Sequence, residues 1–402
     1  TLIGSVAGDA ITTADNNTAV GFSALTASTT GASNTAVGDS ALGANTTGAN
    51  NVAVGKGAGS SITTAGYNIC IGAEAGDSLT TQSFNTAIGA TSMGDATATQ
   101  SVAVGQETLQ KNTGTNNVGV GHQAGRYATS GTQGVFVGAF SGTGVEGSTT
   151  AGDSTAVGYN TLNDLTTGIR NTAIGSLCLD QTTSGEKNTG LGYAALSANT
   201  TGNFNVGIGN EALISNTTSS NNIAIGHQAL KSNTAANNVA MGHEALEDNT
   251  SGTSNVAVGY ESLTSNTTAS NNTAVGYQSL LANTTGSRNV ALGFEAGEAN
   301  TTGFDSTFIG YRAGKSNTTA SGNDSRNTAV GSSSLASNTT AANNTAVGYA
   351  SLNANTTGNN NTAVGSSSLV ANTTGVQNVA VGSLALDSNT TASFNTAVGY
   401  LS

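Results

Sequence analysis

Along this chain an aliphatic residue followed directly by Gly returns with a nearly fixed phase. Taking that Gly as position zero, the register runs from Gly4, Gly21 and Gly38 through Gly276 and Gly293 to Gly399. There are 24 copies and 23 intervals; eighteen intervals are 17 residues, three are 16, and the exceptions are 20 (Gly138 to Gly158) and 21 (Gly310 to Gly331). Position −1 is Val, Ile, Leu or Met and position −3 is Thr, Val or Ile in every copy, with mostly Ala or Gly between them. That alternation has period 2, and β-branched residues favour a pleated strand, so a strand is expected from −4 to +1. A strict period this short suits one turn of a parallel β-solenoid, each repeat stacking on its neighbours. The fold class is therefore all-β, with about 24 turns of about 17 residues in one continuous array over 1–402.

Position +4 is Leu in fifteen copies, Gly in seven and Met93 in one. A second short strand is expected through it, opposite the first. Positions +7 to +10 read Asn-Thr-Thr-Gly or Asn-Thr-Thr-Ala, which are turn residues. Stacking would align their Asn side chains into ladders. Each turn then buries about two large apolar side chains, worth roughly 1.5–3 kcal/mol each. Ordering a turn costs on the order of 1.5 kcal/mol per residue, so further burial between chains is expected. The Ala/Gly face is the natural contact, because small residues admit a second sheet. The inverse arrangement, with that face inside the roll, stays open.

Phe136 and Phe308 are the only aromatic residues at position −2, and each directly precedes a long interval. The expectation is that each ring pushes the local packing apart and that the insertions, near 139–154 and 311–327, cover it. Neither end of the array looks like a distinct cap. The chain starts Thr1-Leu2-Ile3 without a signal peptide, read as a mature or trimmed product.

Composition alters this picture little. Charged residues are 8% and Trp and Pro are absent, unlike an average enzyme. The net charge of −12 is thinly spread and there is no basic patch, so nucleic acid is not an expected partner. No apolar stretch is long enough for a membrane-spanning helix. Cys70 and Cys178 fall six turns apart, roughly 28 Å along a stack, so no bridge between them is expected.

No catalytic, cofactor-binding or metal-binding constellation stands out. His122, His227 and His243 all occupy position +1. His227 and His243 would stack on adjacent turns, but no carboxylate or Cys stands beside them in their column, so they read as exposed histidines rather than metal ligands. The column His227, His243, Tyr260, Tyr277, Phe294, Tyr311 runs through six consecutive turns. It is either a stack that stabilises the turns or a platform for glycans or another fibre. The Asn-Thr-Thr sequons at Asn45, Asn199, Asn266 and Asn355 fit N-glycosylation or a plain turn.

Stretches such as NTAVGYASLNANTTG (Asn344 to Gly358) and Asn271 to Gly286 resemble two related groups. One is the head region of trimeric autotransporter adhesins, with short S/T-V-A-I-G-like strand repeats. The other is the phage tail-fibre shafts and bacterial surface proteins carrying NTAVGYxAL…NTTG repeats. The resemblance covers essentially the whole chain. It implies a left-handed β-roll, a trimer, and an extracellular, cell-surface or virion-surface place. The 17-residue period departs from the adhesin pattern, and the chain shows neither a coiled-coil stalk nor a membrane anchor nor a chaperone domain.

The sequence thus reads as a non-enzymatic structural or adhesive fibre protein without a cofactor. Its expected partners are itself, as a homotrimer or head-to-tail filament, and surface glycans. The alternative is an ice- or surface-binding solenoid, which would require a regular two-dimensional Thr array.

Overall fold

Each Thr/Val/Ile–small–aliphatic triplet forms a strand, as its alternation requires. In this computed structural model, which describes residues 1–147, 152–318 and 325–402, the chain folds as an all-β parallel solenoid without helices among the described residues. It carries 24 strands, of three residues except for the two-residue Leu2–Ile3. Two compact units are present, Thr1–Phe204 and Asn205–Ser402. The first holds the strands from Leu2–Ile3 to Thr189–Leu191, the second those from Val206–Ile208 to Thr396–Val398. Neighbouring strands pair in register: Thr273, Ala274 and Val275 face Val290, Ala291 and Leu292 in the second unit. In the first, Thr35, Ala36 and Val37 face Val52, Ala53 and Val54.

The strand faces are the inverse of the arrangement favoured above for chain contact. Ala19, Ala36, Ala274 and Ala346 at −2 are buried inside the roll, while −3 and −1 point outward and are half-buried or exposed. The Ala/Gly face therefore cannot be the contact between chains. It is inside because the roll is thin: only a side chain about the size of Ala fits between the strand and the Leu across from it.

The second strand does not form. Leu280 at +4 has φ +50° and Gln278 at +2 has φ +51°, and the pattern repeats in other turns. A strand needs extended backbone, so this run alternates between right- and left-handed residues instead. Left-handed conformations cost about 1–2 kcal/mol for a non-Gly residue. The alternation aims successive N–H groups along the stack. Gln278 N–H donates back to Tyr260 O at 2.9 Å, while Leu280 and Ala282 donate forward to Ala296 O at 3.0 Å and Glu298 O at 2.9 Å. The Leu side chain is thereby turned inward and fully buried.

The register Gly cannot be replaced by a larger residue. Its φ lies between +125° and +145°, and a Cβ on Gly276 would sit 2.3 Å from the Gly293 carbonyl oxygen. Turns such as that at Gly276 are then closed by two buried asparagines. At −4, Asn272 Oδ1 accepts the Asn289 N–H at 2.9 Å and its Nδ2 donates to Gly286 O at 2.8 Å. At +7, Asn283 Nδ2 donates to the same carbonyl at 2.9 Å and to Asn266 Oδ1 at 2.9 Å. The expected +7 ladder is continuous from Asn233 to Asn389, bonded amide to amide. Asn45, Asn199, Asn266 and Asn355 are fully buried, so the sequons are structural turn residues rather than accessible glycan acceptors in the folded chain.

Phe136 and Phe308 are fully buried, but the packing is not pushed apart. Phe136 pairs with Ala156 and Phe308 with Ala329, each strand staying in register across the long interval. Room comes from Gly at +4 in the same turn and the one before. A Cβ on Gly125 or Gly142 would lie 2.7 or 2.1 Å from the Phe136 ring, and one on Gly297 or Gly314 would lie 2.6 or 2.2 Å from the Phe308 ring. Cys70, also larger than Ala, is flanked in the same way by Gly59 and Gly76. The insertions expected to cover the rings, near 139–154 and 311–327, fall in part on 148–151 and 319–324, outside the described residues. Cys70 and Cys178 are free and buried, and burial pushes each thiol up to about 12.

Two predictions follow from this packing. Phe136→Ala leaves a cavity and should lower unfolding free energy by about 3–5 kcal/mol. Gly142→Leu alone should also destabilise, by clash; combined with Phe136→Ala it should recover part of the loss. Denaturant titration checks both, and full additivity of the two changes would contradict the packing account. The second concerns pH. Burial lifts the Asp180 carboxyl from 3.8 to about 6, with Asp164 adding to it, and Asp180 Oδ1 is buried without a hydrogen-bond partner. The folded chain holds this proton more tightly than the unfolded chain, so the group's contribution is lost as pH rises from about 4 to about 6. Asp180→Asn should therefore raise the thermal midpoint at neutral pH, with the gain vanishing near about pH 3.5, where the carboxyl is protonated in both states.

Candidate functional site

Position +1 follows the register Gly, where the chain leaves the strand. In-register stacking brings the +1 side chains of successive turns onto one another. In the second unit all six rings foreseen from the sequence form one column. Successive centroids from His227 through His243, Tyr260, Tyr277 and Phe294 to Tyr311 lie 5.0, 5.0, 5.3, 5.0 and 5.4 Å apart, with interplanar angles of 8–15°. These separations slightly exceed the strand spacing, as expected for offset stacking. The tyrosines and Phe294 remain 39–47% exposed, so the stack stabilises the turns and also presents ring edges to solvent. Among its described residues the first unit has no such column. There His122 and Tyr159 meet Phe140 edge-on, at 5.2 and 6.0 Å.

A second column borders the rings. Position +2 holds Glu211, Gln228, Glu244, Glu261, Gln278, Glu295 and Arg312 in successive turns. Gln228 Nε2 donates to Glu211 and Gln278 Nε2 to Glu261, both at 2.7 Å. Arg312 Nε donates to Glu295 at 2.8 Å, and Lys315 bonds the same carboxylate. Burial alone would raise the Glu295 carboxyl, but Lys315 and Arg312 bring it below its ordinary value. A hydrogen bond to Glu261 raises the Tyr260 hydroxyl. The flank of the stripe is thus polar and largely paired.

The other surface of note was not singled out from the sequence. The strand positions −3 and −1 form two outward columns of Val, Ile, Leu, Met and Thr in each unit. Their larger members, among them Leu191, Met241, Ile223 and Leu292, are 37–47% exposed. The sequence signal was present, since −1 is aliphatic in every copy, but an invariant aliphatic residue reads as core unless the handing of the strand faces is known.

Turn threonines at +8 also stack. Thr284 Oγ1 donates to Thr301 O at 3.1 Å and Thr356 Oγ1 to Thr373 O at 3.0 Å, so these hydroxyl donors are engaged by the backbone of the next turn. No helix among the described residues is long and apolar enough to cross a membrane.

Tyr277 stacks on two rings. Tyr277→Ser should lower unfolding free energy by about 1–3 kcal/mol, the sum of two ring contacts, whereas Tyr277→Phe should change it little. Thermal unfolding of the two variants checks this, and equal effects would mean that the hydroxyl, not the stack, matters. No protein-family model matches this chain, and no curated protein matches it at a significant level.

Proposed function

We propose that this protein is a non-enzymatic structural fibre component that associates with further copies of itself through the outward aliphatic face of its strands. The observation carrying this reading is the pair of half-exposed columns at −3 and −1. Twelve strands at about 4.8 Å spacing and two residues of width give a contiguous patch of roughly 350 Å² per unit, counting the backbone footprint alone. Scattered exposed aliphatics need no explanation; a patch of this size matches the largest on a typical monomer, which is often a functional surface. The thin core supports the same reading. The turn at Gly276 buries one Leu, two small residues and two asparagines: Leu280, Ala274, Ser279, Asn272 and Asn283. Association with other copies would cover the remaining apolar surface. A trimer in an extracellular, cell-surface or virion-surface fibre is the arrangement implied by the adhesin and tail-fibre resemblance. The ring column would then face outward as an adhesive strip, suited to stacking on sugar rings.

Placing Lys at Val258 and Leu292, both outward positions, should convert the assembly to single chains without loss of β-structure. Light scattering coupled to size-exclusion chromatography and circular dichroism would read the two effects. A wild-type protein that is already a single chain at micromolar concentration would contradict the proposal. Glycan-array binding that survives Tyr260→Ser and Tyr277→Ser together would remove the adhesive role from the ring column.

A further inference from the structure

The stripe ends on two histidines, and there the neighbouring column supplies what theirs lacks. His227 and His243 stack with centroids 5.0 Å apart and an interplanar angle of 12°. Glu244, from the +2 column, brings a carboxylate to the same place. One ligand atom from each of His227, His243 and Glu244 lies within 4.8 Å of the others, and His243 Nε2 is 3.6 Å from Glu244 Oε1. We propose that His227, His243 and Glu244 form a site for a borderline divalent transition cation such as Zn²⁺.

Three observations carry this assignment. First, the donor set suits such an ion: imidazole nitrogen and carboxylate oxygen bind Zn²⁺ at about 2.0–2.2 Å, which places donors on one ion roughly 3.3–3.5 Å apart. The His243–Glu244 pair is already near that separation. Bringing in the third donor requires the His227 ring to turn out of the stack, because an ion lies in the plane of each imidazole that binds it; as the end ring of the column, His227 gives up one ring contact in doing so. Second, Glu244 receives no amide or cationic hydrogen bond among the described residues, because Gln228 in the turn before it donates to Glu211 instead. Glu211 and Glu261 accept from glutamines and Glu295 from Arg312 and Lys315, whereas the side-chain contact made by Glu244 is with His243. Third, His243 Nδ1 is buried and has no hydrogen-bond partner among the described residues, whereas Nε2 faces Glu244 at 3.6 Å, so Nε2 is the ring nitrogen placed to ligate. The ligands come from two adjacent turns, His227 from one and His243 with Glu244 from the next. A bound ion would therefore staple those turns together. At a surface site three protein ligands leave a tetrahedral position for water or for a donor from another molecule.

The test uses the full chain after treatment with a chelator, and ZnCl₂ as the probe. Calorimetric titration should show one Zn²⁺ per chain, and Co²⁺ in its place should give the intense visible absorption of a tetrahedral nitrogen–oxygen site. His227→Asn, His243→Asn and Glu244→Gln should each weaken binding by at least about tenfold. His122→Asn, which alters the +1 histidine of the first unit, should leave it unchanged. Binding should also weaken on acidification, because protons compete with the cation for the ligand atoms. Circular dichroism confirms that each variant retains β-structure, and the Co²⁺ spectrum of the unaltered chain tests the site independently of any variant. No binding at about 100 μM Zn²⁺, or equal binding by the three variants and the parent, would overturn the assignment.

Discussion

The buried asparagine amide at the start of most strands is the interaction on which the rest of the structure depends. Its oxygen accepts the N–H of the equivalent residue one turn on, and its nitrogen closes its own turn onto a carbonyl, as Asn272 does with Asn289 and Gly286. One side chain thus fixes both the path of the turn and its register with the next. An unsatisfied buried donor or acceptor costs about 1–3 kcal/mol, so slippage by one residue would leave several such groups unpaired in every turn. Where Ser replaces Asn, as at Ser101, Ser154 and Ser306, the hydroxyl still accepts the next N–H, but at 3.2 Å. The fold is held less by an apolar core than by polar groups that match because the turns are alike.

That matching explains the shape of the core. Strand and opposing run approach so closely that the residue facing in from the strand is Ala or Gly in most turns. The space beyond it goes to one Leu, presented from a left-handed backbone position. Volume is then conserved locally: a larger residue at −2 is accommodated by losing the Leu at +4 in two turns. The same constraint drives the Val, Ile and Leu of the strands outward, and an apolar outer face becomes the surface available to other chains.

The period, the strands, the turns and the ring column were legible in the sequence because each follows from spacing. The facing of the strand was not, since alternation shows that two faces differ without saying which lies inside. The second strand was misread because Leu at +4 looks like a strand residue, and nothing in its identity announces φ near +50°. The pairing of Cys70, Phe136 and Phe308 with glycines at +4 was written in the sequence all along. It emerges when columns are compared with each other rather than read singly. Glu244 likewise stands in the column beside the histidines and not in theirs.

Electron cryomicroscopy of the purified protein tests the central claim most directly. The account predicts several chains per particle, with the Val, Ile and Leu columns of −3 and −1 enclosed between chains and the Ala residues of −2 inside each roll. Single chains whose aliphatic columns face solvent would contradict it.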